Sequence, residues 1–168
     1  LIRMNLLPFT FTRPTSKIRV GILTIAEKWE KWLGTKAYFK TEDYLQKKFS
    51  INSTPENLLV NGAVCPDQKL ADSIRSLPVG YFLVQKTLLI AANRPDREMS
   101  KANTIEYNDE VIVIDKAWKI FYENARQLKI DFKLITAGRK SAALSDKHTV
   151  VYGQENLFLE DGVNIKAP

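Results

Sequence analysis

The sequence N-L-L-P-F-T-F-T-R-P-T-S-K-I-R-V at residues 5–20 sets the frame from which the rest of the chain is read. Its Arg13-Pro14 pair disfavours helix at Arg13, because the proline ring crowds the preceding residue out of the α region. The residues before Pro14 therefore read as a loop that delivers the chain into residues 18–23. Immediately downstream, Ile22, Ile25, Trp29 and Trp32/Leu33 recur at helical spacing, with Glu27, Lys28, Glu30 and Lys31 on the other faces and Gly34 as a stop. The helical period already accounts for the tryptophans as core residues, so they are not read as a ligand cage.

Residues 37–39 suit a short strand, and residues 41–49 suit a second helix with Thr41 as N-cap and acidic residues in its first turn. A break at residues 53–55 precedes a strand at 57–60, and Asn61-Gly62-Ala63 forms its C-terminal turn. Pro66-Asp67 begins a helix whose inward stripe is Leu70, Ala71, Ile74 and Leu77, and Pro78 ends it. Residues 82–85 and 87–92 are two short strands, either a hairpin or one bulged ribbon. Residues 93–108 are a polar loop or edge excursion, and E-V-I-V-I-D at 110–115 is a further strand. Trp118, Phe121, Ala125 and Leu128 then define a helical face, after which residues 130–134 fit either a strand or a continuation of that helix. This alternation predicts an α/β fold with a doubly wound, Rossmann-like sheet and right-handed crossovers.

The tail changes character. L-E-D-G-V-N-I-K-A-P at 159–168 has the hexapeptide spacing of a left-handed β-helix rung, which buries its aliphatic ladder only against neighbouring rungs. Residues 149–168 are expected either to start such a helix or to add one strand to a main domain of residues 1–148. Leu1 in place of methionine leads us to expect an N-terminally truncated fragment.

With 168 residues, 45% of them apolar, the chain is long enough for one ordinary core. A single cysteine, Cys65, excludes an internal disulfide framework, and with one histidine, His148, there are too few soft ligands for structural zinc. No apolar run is long enough to span a bilayer, so no membrane partner is expected and a reducing cytoplasm is the simplest home. The net charge of +6 suits an anionic partner such as a nucleotide, a sugar phosphate or a polynucleotide; the positive residues are scattered and no nucleic-acid motif accompanies them, so a nucleic-acid partner is not expected.

Pro8, Thr10, Pro14 and Val20 fall without a gap on the pattern R-[LM]-x-P-L-T-x-x-x-P-K-x-L-L-P-V, and this stretch resembles the front of sugar-1-phosphate nucleotidyltransferases. L-L-V-N-G-A at 58–63 is similar to the family strand that ends in N-G-D. Residues 6–14, 22–29, 136–141 and 157–162 resemble stretches of a bacterial, Bacteroidetes-type group of sugar nucleotidyltransferases. That group is the alternative bifunctional N-acetylglucosamine-1-phosphate uridyltransferase / glucosamine-1-phosphate acetyltransferase. The resemblance implies transfer of UMP from UTP to N-acetylglucosamine 1-phosphate, with a nucleoside triphosphate and a sugar phosphate as partners. It further implies Mg²⁺ as cofactor, an attached acyltransferase β-helix and a homotrimer formed through it.

Three positions depart from the family. Asn5 and Thr15 stand where it has a phosphate-binding arginine and a signature lysine, and Ala63 stands where its aspartate holds Mg²⁺. Arg13 and Lys17 are the substitute catalytic cations from the same loop, while Thr10 and Asn61 are candidates to hydrogen-bond base or ribose. Arg139 and Lys140, after the Gly138 turn, read either as a further anion contact or as a helix C-terminus that favours cations. Asp67 reads as a helix cap in preference to a metal ligand, so no metal ligand is assigned. The rival to an active transferase is a catalytically degenerate nucleotidyltransferase fold that serves as a binding or assembly platform for the β-helix.

Overall fold

The computed structural model describes residues 2–51, 54, 57–94, 98–144, 146 and 148–165. Positions 53 and 55 of the expected break, and 166–168 of the expected rung, lie outside the described residues. The chain divides into two units, Leu1–Asp131 and Phe132–Pro168.

In the first unit a short α1 (Ile2–Asn5) leads into the loop of residues 6–24, which contains one 3₁₀ turn at Thr15–Lys17. The predicted helix follows as α2 (Ile25–Leu33). Thr24 caps it by accepting from Glu27 N while Glu27 accepts from Thr24 N (2.7 Å), and Gly34 ends it at φ 68°. Partial burial would raise the Glu27 carboxyl, but the Thr24 hydrogen bonds and the Arg19 and Lys17 charges outweigh it and hold it below its ordinary 4.5. The expected strand at 37–39 is absent, and the second helix shrinks to α3 (Asp43–Gln46), with Glu42 and not Thr41 at its N-cap.

β1 (Leu58–Val60) is followed by β2 (Val64–Cys65) and α4 (Gln68–Arg75), where Asp67 accepts from Leu70 N at 2.9 Å. Leu70, Ala71 and Ile74 face the core, as their spacing requires. The open choice at 82–92 resolves as a hairpin: β3 (Phe82–Gln85) and β4 (Leu88–Asn93) pair antiparallel across Lys86-Thr87, with Lys86 at φ 54° and a register shift at Leu83/Val84. β5 (Thr104–Glu106) lies at the sheet edge in the stretch expected to be a loop or edge excursion, and β6 (Ile112–Val113) is the short remnant of the strand expected at 110–115. The four-stranded sheet runs β1-β4-β3-β5, with β3–β5 parallel and the other pairs antiparallel; β2 and β6 form a separate antiparallel pair. The α/β class holds and the sheet contains a parallel pair, while the hairpin makes most of its described pairing antiparallel. Around it, Leu6, Val20, Ile25, Trp29, Val64, Leu70, Ile74 and Ile90 form the core. Each such aliphatic side chain contributes about 1.5–3 kcal/mol by leaving water.

α5 (Ala117–Tyr122) and α6 (Asn124–Thr136) close the unit; residues 130–134 continue the helix. The helical face of Trp118, Phe121, Ala125 and Leu128 turns outward. Trp118, Phe121 and Leu128 are exposed, Phe121 at 88%, whereas Gln127 and Asp131 are buried. Asn124 and Asp131 on the inward stripe of α6 accept hydrogen bonds from loop amides, a demand that hydrophobic periodicity does not register.

In the second unit Gly138 (φ 70°) ends the helix. Ala142 N donates to Leu159 O (2.9 Å), and Leu159 N donates to Ser141 Oγ (2.9 Å), so the segments 136–141 and 157–162 meet. Among the described residues of the tail there is no strand and no β-helix rung; a 3₁₀ turn at Gln154–Asn156 and a turn at Gly162 (φ 81°) take its place. Val163, expected on the buried ladder, is exposed.

Candidate functional site

The loop of residues 5–20 is pinned at three points. Thr10, fully buried, donates from Oγ1 to Arg3 O (2.9 Å), Arg3 donates to Tyr44 Oη (2.6 Å), and Tyr44 Oη donates to Phe11 O (2.7 Å). Beyond residue 20, Asp131 Oδ2 accepts from Ile22 N (2.9 Å) and Leu23 N (3.0 Å), and Asn124 Oδ1 accepts from Gly21 N (2.8 Å). The Lys28 ammonium donates to both Asp131 oxygens, and the two side chains are 1% and 0% exposed. This cluster ties the loop to α2 and α6 from inside the unit.

So held, the loop contributes residues to two clefts. The first, about 870 Å³, takes Pro14 and Ser16 from the loop, Trp29 and Glu30 from α2, and Phe39 and Val60 opposite. Gly62 also lines it, and a Cβ built there would come 3.1 Å from Ser16 Cβ. The loop and the N-G turn, 46 residues apart in sequence (62 − 16), thus converge on one cleft. The second cleft, about 700 Å³, takes Phe9, Thr12, Arg13 and Arg19 from the loop and Ile120 and Phe121 from α5.

Residues 2–140, well over half of the chain, match the profile of the family described as sugar nucleotidyl transferase. The chain belongs to that family. No curated protein and no solved structure gives a significant match.

In this sugar nucleotidyl transferase chain the two substitute cations part company. Arg13 is exposed in the second cleft and makes no hydrogen bond or ion pair among the described residues, whereas Lys17 Nζ lies 4.9 Å from the Phe39 ring centroid, beside the first. Thr10 has its side chain committed to the loop clamp. Asn61 is likewise committed to the turn, donating from Nδ2 to Leu89 O (2.8 Å) and accepting from Ala63 N (3.0 Å). In the second unit Arg139 donates to Ile135 O (3.2 Å), pairs with Glu160 and stacks 4.8 Å from the Phe158 centroid, while Lys140 is exposed. Cations that the motif comparison passed over also line the clefts: Arg19 in the second, and Lys36 and Lys40 in the first.

The N-G-D position offers magnesium no ligand. Ala63 brings a methyl group, 2% exposed, to the N-G-D position. Glu30 is the one carboxylate among the described residues lining the first cleft, and its Oε1 accepts from Ala37 N (2.9 Å). Asp67 is spent as a helix cap, and among the described residues no cluster of three His, Cys, Asp or Glu is placed to hold a metal. Cys65 is no nucleophile: burial pushes its thiol up to about 12. Among the described residues no helix is long and apolar enough to cross a membrane.

Proposed function

We propose that this chain is the nucleotidyltransferase-like part of a sugar-nucleotide enzyme, handling a nucleoside triphosphate and a sugar 1-phosphate. UTP and N-acetylglucosamine 1-phosphate are the pair the resemblance favours. The observation that carries this reading is the convergence of the residue 5–20 loop and the N-G turn at Gly62 and Ser16, since these are the two segments that resemble the transferase frame. In the reaction a phosphate oxygen of the sugar phosphate bonds to the α-phosphorus, the bond to the β-phosphate breaks, and diphosphate leaves. Charge accumulates on the transferred and departing phosphates, and we assign Arg13 and Lys17, with Lys36 and Lys40, to offset it; that these cations line or neighbour the two clefts supports the assignment.

A second reading has its own support: a domain that keeps the fold and binds its ligands without turnover, as a platform for further domains and, through a β-helix, a trimer. The methyl group of Ala63 and the committed Glu30 favour it. Calorimetric titration with UTP, combined with an assay for diphosphate release on adding N-acetylglucosamine 1-phosphate, separates the two. Binding with release supports the transferase, and binding without release supports the platform. Absence of binding at millimolar UTP sinks the transferase reading.

A further inference from the structure

Two stretches of main chain that line the first cleft keep hydrogen-bonding groups unused. β1 is an edge of the four-stranded sheet. Arg94 N donates to Asn57 O (3.1 Å) and Asn61 N to Ile90 O (2.8 Å), so residues 57, 59 and 61 turn their main-chain groups to β4 while Leu58 and Val60 turn theirs away from it. Among the described residues those groups of Leu58 and Val60 have no partner, and both residues line the cleft. Residues 37–41 alternate in the same way. Ala37 N donates to Glu30 Oε1 (2.9 Å), Phe39 N to Ser50 O (3.1 Å) and Thr41 N to Gln46 Oε1 (3.2 Å). Between them the main-chain groups of Tyr38 and Lys40 have no partner among the described residues, and these two also line the cleft. Tyr38, Ile51 and Leu59, three large apolar side chains left exposed, share the same lining.

We propose that the first cleft takes up an extended apolar segment of polypeptide, which pairs as a strand with β1 along one edge and with residues 38–40 along the other. An unpaired strand edge is a template for another strand, and main-chain groups that alternate between used and unused select an extended peptide over any small molecule. A strand flanked on both edges and covered by side chains such as Trp29 and Leu33 is apolar along its whole run. About five or six residues, the common strand length, suffice. A second copy of the chain suits the slot poorly: the β1 edge is sunk in a cleft, so the same edge of another copy does not reach it, and both copies carry a net charge of +6. That charge favours acidic over basic flanks on the segment. This inference goes beyond the transferase reading and does not depend on it. β1 ends at the Asn61-Gly62 turn, so a segment lying along β1 stops beside the meeting of Gly62 and Ser16 and leaves that end of the cleft to the proposed substrates.

The probe is a synthetic hexapeptide, Asp-Ile-Val-Ile-Val-Glu, carrying fluorescein at its N-terminus and held at nanomolar concentration while the whole 168-residue chain is titrated in. Fluorescence anisotropy is expected to show saturable binding at micromolar protein. Two further peptides carry N-methyl groups, one on both isoleucines and the other on both valines. Each removes the amide donors along one edge of the strand, because successive residues point their main-chain groups to opposite sides. Each is expected to bind about tenfold more weakly or worse, the loss of two hydrogen bonds. Ile51→Glu sets a carboxylate in the apolar lining and is expected to weaken the parent peptide about tenfold or more. Circular dichroism guards against misfolding of that variant, which a change at an exposed position is not expected to cause, and the peptide series leaves the protein unaltered. Absence of binding by the parent peptide overturns the proposal. Equal binding of all three peptides overturns it as unspecific apolar adhesion, and a loss in only one of the methylated pair overturns the two-edged slot. Sedimentation showing a dimer of the chain alone that Ile51→Glu dissociates gives the slot to a second copy and overturns it too. None of these outcomes bears on UTP binding, which stands or falls by its own titration.

Discussion

Replacing Asp131 by Asn removes the negative charge from a pair whose side chains are 0% and 1% exposed. Breaking one partner of a buried ion pair costs about 3–5 kcal/mol, because the other charge stays in a poorly solvating interior. The two halves of this pair are not equivalent. Among the described residues Lys28 Nζ has no acceptor except Asp131, whereas Asp131 also accepts from Ile22 N and Leu23 N. Asp131→Asn is therefore expected near the top of that range and Lys28→Met near the bottom, about 1–2 kcal/mol apart. Urea unfolding followed by circular dichroism reads the difference: at about 2 kcal/mol per molar, a loss of 4 kcal/mol lowers the midpoint by about 2 M. The double variant Lys28→Met/Asp131→Asn is expected to lose less than the sum of the singles, since it leaves no orphaned charge. A loss below about 1 kcal/mol for Asp131→Asn, or strict additivity, would refute the account of a buried pair holding the loop.

Gly21→Ala places a methyl group 2.6 Å from Asp131 Oδ2 and 2.8 Å from the Gln127 carbonyl carbon at φ 84°, and the same assay is expected to show a loss of at least about 2 kcal/mol. Cys65, 4% exposed, should resist a thiol reagent at pH 8 and react only on unfolding. Its raised value means the folded state holds the thiol proton more tightly, so its stabilising share is complete below the ordinary 9.0 and is lost as pH rises towards 12; stability that did not fall across that window would contradict it. Thr24→Ala should lower stability by about 1 kcal/mol through loss of the cap, and a wild-type midpoint would show that the Glu27 hydrogen bond carries nothing.

The elements legible in the sequence are those with local causes. The Gly34 stop, the Asp67 cap and the Leu70/Ala71/Ile74 stripe each depend on neighbours within a turn or two, and the structure places them where spacing puts them. β5 was hidden because Thr104–Glu106 is a half-exposed edge whose partner, β3, lies some twenty residues away. The outward turn of the α5–α6 face was not legible, because periodicity reports that an apolar face exists and not which side it faces. Asn124, Gln127 and Asp131, at i, i+3 and i+7, were the visible sign of a polar inward stripe, but Lys28 lies 103 residues from Asp131 and nothing local announces the pairing. At the site, the motif frame located the loop and the N-G turn, yet it nominated Thr10 and Asn61 by position alone. Family alignment records which residue stands where and does not show whether its hydrogen bonds are already taken.

Trp29, a wall of the first cleft, is 4% exposed and donates from Nε1 to Val64 O at 3.0 Å. An indole so fixed in an apolar setting emits at short wavelength, while Trp118, 61% exposed on α5, emits at long wavelength. Occupation of the first cleft is therefore expected to register at the blue edge of the fluorescence and solvent changes around α5 at its red edge, with the half-buried Trp32 contributing between them, without a label on protein or ligand.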